Sequence, residues 1–265
     1  MTNNEIRHLS LLKEKSGREG QGRYFIEGKR SVTEAISNST SIERILVNIA
    51  IDSAKFAEIY ALAEAGGIPI EEVPAVKFAK LASTETSQGI IAVANVLSTK
   101  LDTVLRQIAS KRKAVVTILD RISDPGNLGT VLRSASWFGV DAVLTGEGSV
   151  DIYNSKVVRS AMAAIASLTV AQEIKIIDAL SSLKSFGFTI VASSQDGENN
   201  YVEYNFPQKL CLIFGSEAAG VGKKTLELCD ESVAIPRIGK MESLNVGVAA
   251  SIILSEVMRQ RSLGK

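Results

Sequence analysis

Apolar residues recur along this chain with two different spacings, and the switches between them predict where its elements lie. Glu5–Lys15 has helical period, Tyr24-Phe25-Ile26-Glu27-Gly28 has the character of a short strand, and helical spacing resumes over Lys29–Ser37. Ile42–Asn48 predicts a strand, Ser53–Ala65 a helix stopped by Gly66-Gly67, and Ile90–Val96 a β-rich run. Ser98-Thr-Lys-Leu-Asp then breaks the pattern. The division it suggests is a small α/β domain over 1–97, a linker over 98–113 and a second domain over 114–265.

From Ala114 onward short apolar runs alternate with helical ones. Strands are expected at Val115–Asp120, Ala142–Thr145, Thr189–Ser193, Leu210–Phe214 and Ser232–Ile235. Helices are expected near Leu128–Phe138, Ser155–Ala163, Ile177–Phe186, Val221–Cys229 and Leu244–Arg261. Such alternation specifies an α/β fold, a mostly parallel sheet covered on both faces. No internal repeat or low-complexity tract interrupts it.

Composition excludes several classes. With 45% hydrophobic residues in 265, the chain can bury a core and is not disordered. No apolar run approaches the roughly 20 residues a membrane span needs, and the start has no signal-like core, so a cytoplasmic location is expected. Cys211 and Cys229 sit in apolar periodic segments without metal-ligand spacing and read as buried thiols. His8 is the single histidine and lies in a polar leader, which argues against Ser-His-Asp, Cys-His and His-metal sites; no metal is expected. The formal net charge of +1 conceals two basic stretches: 1–30 and 111–140 each carry a surplus of three positive charges.

Three segments carry candidate chemistry. In Leu119–Arg133 a strand ends, Asp124-Pro125-Gly126 turns, and a helix is expected to start at Asn127 as N-cap, with Arg133 able to reach the sheet's carboxyl edge. In Leu210–Gly220, Gly215 follows a buried strand and allows close backbone approach, and Glu217 projects from the same edge. This is not a phosphate-binding P-loop, because Val221 stands where Gly-x-x-x-x-Gly-Lys requires lysine. In Val233–Leu254 a strand and polar loop lead into a long apolar helix that Ser243 or Asn245 could cap. An NTP-binding reading is correspondingly weak.

Asn127, Gly129 and Arg133, then Gly215, Glu217 and Gly220, then Pro236, Ser243, Leu244 and Asn245 occur in order. Together they resemble the three signature motifs of the SpoU/TrmH-type RNA 2′-O-ribose methyltransferases of the SPOUT superfamily, over roughly residues 114–261. Arg18-Glu-Gly-Gln-Gly-Arg-Tyr-Phe-Ile-Glu-Gly28 is similar to that family's N-terminal substrate-binding domain, which has a ribosomal-protein-like α/β fold. Two positions depart from the pattern: Ala218 replaces a commoner glycine, and Gly247 stands where the family has Ser or Ala, at a helix-propensity cost of about 1 kcal/mol.

The resemblance implies a C-terminal deep trefoil knot, S-adenosylmethionine held by Gly215, Ile235 and Leu244, and a homodimer whose sites draw on both subunits. It also implies methylation of a ribose 2′-hydroxyl, with Arg133 acting on the hydroxyl and Asn127, Glu217, Ser243 and Asn245 orienting the reacting groups. Since a guanidinium stays protonated at ordinary pH, positioning and polarising the hydroxyl and a neighbouring phosphate suits Arg133 better than acting as base. Arg18, Arg23, Lys29 and Arg30 are the expected RNA contacts; Tyr24 and Phe25 could stack on bases but read better as core. The leader favours ribosomal RNA, of the 23S type, over transfer RNA. The competing reading is a non-catalytic RNA-binding or ribosome-assembly factor that keeps the fold.

Overall fold

The computed structural model describes residues 1–97 and 99–262. Ser98, the start of the expected linker, and positions 263–265, the end of the expected second domain, lie outside the described residues. The chain divides into two units, Met1–Leu97 with Asp151–Ser167, and Ser98–Val150 with Leu168–Lys265.

The first unit opens with α1 (Asn3–Ser10), held by a capping box in which Thr2 Oγ1 accepts from the Glu5 N–H at 3.2 Å and the Glu5 carboxylate accepts from the Thr2 N–H at 2.6 Å. The single helix expected over Glu5–Lys15 is broken by a 3-10 turn at Leu11–Lys13 before α2 (Lys15–Gln21). A Cβ on Gly17 would collide with Leu11, so glycine is what lets α2 fold back so tightly. β1 (Arg23–Glu27), α3 (Lys29–Ser37), β2 (Ile42–Asn48), α4 (Ala57–Ala65), β3 (Ile70–Val73), α5 (Ala75–Leu81) and β4 (Ile90–Asn95) follow.

The strands of this unit form a sheet in the order β1-β4-β2-β3, with only β2 and β3 parallel. Phe25, Leu46, Ile91 and Val93 on one face cluster with Ile6 and Leu9 of α1 and Phe78 and Leu81 of α5. Tyr24 and Phe25 are both buried, in keeping with a core role for the two rings. Because Glu27 pairs with Ile91 and Val47 with Ile90, the ends of β1 and β2 and the start of β4 share one edge.

Residues 99–113 of the expected linker belong instead to the second unit. They contain α6 (Leu101–Ala109), whose Val104, Leu105 and Ile108 are buried in the second unit's core. β5 (Ala114–Asp120), α7 (Pro125–Trp137) and β6 (Ala142–Gly146) come next. The chain then re-enters the first unit through α8 (Ser155–Ala161) and α9 (Ala164–Ser167). There Asp151 receives Arg18 at 2.6 Å, and the Tyr153 ring lies 4.6 Å from that of Tyr24 against edge strand β1. Tyr153 Oη also bonds the Leu97 backbone.

The second unit continues with β7 (Val170–Ile174), α10 (Ile176–Ser185), β8 (Thr189–Ser193), β9 (Asn199–Asn200), β10 (Lys209–Gly215), α11 (Lys223–Leu226), β11 (Glu231–Ala234) and α12 (Val246–Ser262). Its sheet runs β7-β6-β5-β10-β8-β11-β9, with every pairing parallel. β5 is buried along its whole length and β10 along most of it, as central strands covered on both faces must be. β10 is flanked by β5 and β8, and after β11 the chain returns to pack α12 on α7 and β10. Cys211 is fully buried; Cys229 is only half-buried, and burial next to Asp230 pushes its thiol up to about 11.

Candidate active site

The helix after β5 is capped by Asp124, not by Asn127 as the sequence suggested. Asp124 Oδ1 accepts from the Asn127 N–H at 2.8 Å and Pro125 takes the first helical position, where its missing N–H is harmless. Asn127 therefore sits inside the first turn with its side chain released. Its Nδ2 donates to Glu217 Oε1 at 2.8 Å, and its Oδ1 accepts from Asn245 Nδ2 at 2.7 Å.

Asn245 also donates to Glu217 Oε1 at 2.9 Å, so the three motif side chains close into one network. Its remaining oxygen caps α12, accepting from the Gly247 and Val248 N–H groups at 3.0 and 3.2 Å. Of the two expected cap candidates Asn245 takes the role. One amide thus fixes both a helix start and a polar cluster drawn from three distant segments. Gly247 has its own reason: a Cβ there would come within 2.9 Å of Thr130 on α7, so its lack of side chain lets α12 approach α7 closely.

Gly215, Ile235 and Leu244 line a single cavity of about 330 Å³ in the second unit, together with Glu217 and Ser243. A Cβ on Gly215 would collide with the backbone of Gly220 and Val221, so the loop after β10 can double back only because glycine begins it. Asp120, at the end of β5, accepts from the Gly222 N–H at 2.7 Å and pins the loop's far side. Arg121, at φ +56°, braces that carboxylate at 3.0 Å. Phe214, Ile235, Leu244 and Val246 supply apolar wall, and the doubled loop supplies backbone polar groups. That combination suits a flat heterocycle with polar substituents, and the volume lies at the small end of the range for such pockets.

Arg133 stands apart from the network. It is exposed, shares an outward stripe of α7 with Thr130 and Trp137, and forms no hydrogen bond or ion pair among the described residues. Ser243 is also exposed, its hydroxyl without a partner among the described residues.

The sequence reading missed Ser194, Gln195 and Asp196, which line the cavity just beyond β8. Their polar run follows a buried strand at a sheet's carboxyl edge, where open α/β sheets bind ligands, and that rule would have found them. Asp120 was missed because its role depends on a partner 102 residues away.

In the first unit the expected RNA contacts separate. Arg18 is a correction: it is only 4% exposed, bonded to Asp151 and to the carbonyls of Leu12 and Lys13, and has no face left for RNA. Arg23 is half-buried and paired with Glu43 at 2.8 Å. Lys29 and Arg30 remain exposed at the start of α3. Among the described residues no cluster of His, Cys, Asp or Glu could hold a metal ion, and no helix is long and apolar enough to cross a membrane.

A profile of the SpoU rRNA Methylase family matches residues 114–255, and one of the MRM3-like substrate binding domain matches residues 3–92. The chain belongs to the SpoU rRNA Methylase family.

Among its relatives, the 23S rRNA (guanosine(2553)-2′-O)-methyltransferase RlmP of Bacillus subtilis is 32% identical over 95% of each chain. A Staphylococcus saprophyticus relative, 32% identical over 89% of this chain and 96% of its own, is assigned only as far as a TrmH family tRNA/rRNA methyltransferase. Among solved structures, an RNA 2′-O ribose methyltransferase superposes with a TM-score of 0.80 at 30% identity, covering 98% of this chain and 97% of the other. The SpoU methyltransferase AviRb of Streptomyces viridochromogenes, in complex with AdoMet, gives 0.83 at 24% identity over 99% and 100%, a likeness of fold.

Proposed function

We propose that this protein methylates a ribose 2′-hydroxyl of ribosomal RNA, of the 23S type rather than transfer RNA, using S-adenosylmethionine. The observation that carries the reading is the convergence of Asn127, Glu217 and Asn245 into one network while Gly215, Ile235 and Leu244 line one cavity. When bound, S-adenosylmethionine supplies a methyl group on a sulfonium sulfur. Gly215 and the doubled loop would hold it by close backbone approach, with Ile235 and Leu244 walling the adenine. The choice of ribosomal RNA leans on the RlmP likeness, and the deep trefoil knot leans on membership of the SpoU rRNA Methylase family.

The 2′-hydroxyl must be aligned for in-line attack and must lose its proton as the bond forms. Glu217 is held by two amide donors, which fixes its unused oxygen for orienting a substrate group. Arg133 polarises the hydroxyl and its phosphate. Its outward position beside Trp137, which is 84% exposed, supports a homodimer in which a second copy covers this stripe and completes the site.

The test is labelled methyl transfer from S-adenosylmethionine to total RNA of a deletion strain, with Arg133→Ala as control. Incorporation into 23S RNA at a ribose, lost in the variant, is expected. Incorporation only into transfer RNA overturns the substrate choice. No incorporation despite cofactor binding favours the non-catalytic assembly factor.

A further inference from the structure

At the sheet edge of the first unit, where β1 and β2 end and β4 begins, lies a cavity of about 760 Å³. Three loops build it. Gly28, at φ +101°, turns the chain from β1 into α3 and presents Lys29 and Arg30 at the rim. The turn after β2, a short 3-10 helix over Ser53–Phe56, brings Lys55 to the same opening and lays Phe56 beneath it. Gln88, ahead of β4, ties the loops together by accepting from the Lys29 N–H at 2.7 Å, leaving its amide nitrogen without a partner among the described residues.

The lining has a definite chemical character. Phe56, 2% exposed, gives an apolar floor. Ile51 and the aliphatic part of Thr33 extend that apolar lining. Three cations stand against two carboxylates, and one of these, Glu34, is engaged by Arg30 at 2.9 Å. An apolar lining from Ile51 and Phe56, an exposed amide with free donors and cations around the opening match a base, its polar edge and its phosphates. A duplex presents its bases stacked inward and cannot enter such a hollow.

We propose that this cavity takes a single unpaired nucleotide of the RNA substrate, with its base against the apolar lining of Ile51 and Phe56 and its flanking phosphates at Lys29, Arg30 and Lys55. The proposal rests on the RNA reading above and adds where, and in what form, the first unit recognises RNA. Lys55 and Gln88 are thereby assigned to binding.

The experiment measures affinity of the full chain for a single-stranded oligoribonucleotide, for the same sequence closed into a duplex, and for free nucleoside monophosphates, across a salt series. The proteins are wild type, Lys55→Ala, Gln88→Ala and, as control, Lys80→Ala on α5 at the opposite face of the sheet. Lys55→Ala should weaken single-strand binding about three- to tenfold and reduce the salt slope by about 0.7. Gln88→Ala should weaken it severalfold without changing the slope, because it removes no charge. Neither should alter duplex binding.

Lys55→Ala matching Lys80→Ala on the single strand overturns the proposal, as does an equal loss on both RNA forms in either pocket variant. Tight binding of a free monophosphate that leaves RNA affinity unchanged also overturns it, by making the cavity a small-molecule site. If wild type binds and methylates RNA while the variants behave as wild type, the pocket fails and the RNA reading stands. If wild type binds no RNA, both fail.

Discussion

Each unit places its candidate site at one edge of a sheet, but the two sites are built differently. At the second unit's edge a core of polar side chains is fixed by mutual bonds: Asn127, Glu217 and Asn245 hold one another, Asp120 pins Gly222, and glycines at 215 and 247 permit contacts that no other residue allows. At the first unit's edge the side chains around the hollow are flexible lysines, an arginine and an amide with donors to spare. Transferring a methyl group requires reacting atoms held within fractions of an ångström, which justifies a rigid, mutually bonded cluster. Holding a charged polymer requires only that cations and a concave surface be presented.

Substitutions at the two edges are therefore expected to fail in different ways. Arg133→Ala should lower methyl transfer by about 10²–10³-fold while cofactor binding by calorimetry stays within about twofold, as a group acting on the hydroxyl requires. Mixing Arg133→Ala with Asn245→Ala chains should restore roughly a quarter of wild-type activity if each site draws on two copies; no restoration would confine the site to one chain.

Gly215→Ala forces the doubled loop to move and should weaken S-adenosylmethionine binding by about tenfold or more, or about 1.4 kcal/mol, read by the same calorimetry. Asn245→Ser and Asn245→Ala separate the two duties of one residue. Serine still caps α12 but is too short to reach Asn127, so activity should fall about tenfold with little change in thermal midpoint. Alanine should lose the activity and also about 1 kcal/mol of stability, lowering the midpoint by about 2–4 °C.

The smallest effect belongs to the first unit. Lys29→Ala and Arg30→Ala should each leave catalysis at saturating RNA intact and reduce the slope of log affinity against log salt by about 0.7. A drop in turnover at saturation from either would mean that the first unit's edge takes part in the chemistry, and would erase the distinction.

The same contrast explains what the sequence disclosed. The parallel strands of the second unit are continuous apolar runs, and Thr189–Ser193 and Ala142–Gly146 emerge almost where periodicity places them. Val170–Ile174 escaped because Gln172 and Glu173 interrupt its apolar pattern on an edge strand. α6 was passed over because Lys100–Lys113 reads as polar overall, though Val104, Leu105 and Ile108 are spaced for one buried face. Chemistry that needs particular residues at particular separations leaves motifs, and all of Asn127, Glu217, Asn245, Gly215, Ile235 and Leu244 were visible that way. Lys55 and Gln88 left none, since a loop lysine and a loop glutamine have no local pattern until the fold brings them together. Arg18 misled for the converse reason: its charge was visible, whereas Asp151, 133 residues on, was not recognisable as its partner.

That last pairing bears on how freely the two halves of this chain could be separated or exchanged. A gene fragment ending at Leu97 follows the apparent seam in the sequence, yet it omits Asp151, Tyr153 and the helix that covers β1. The Arg18 guanidinium would be left enclosed without its counter-charge, a loss of about 3–5 kcal/mol against a total stability of about 5–15 kcal/mol. Transplanting this substrate-binding module onto another methylase would therefore require carrying along a short stretch of residues encoded within the methylase itself.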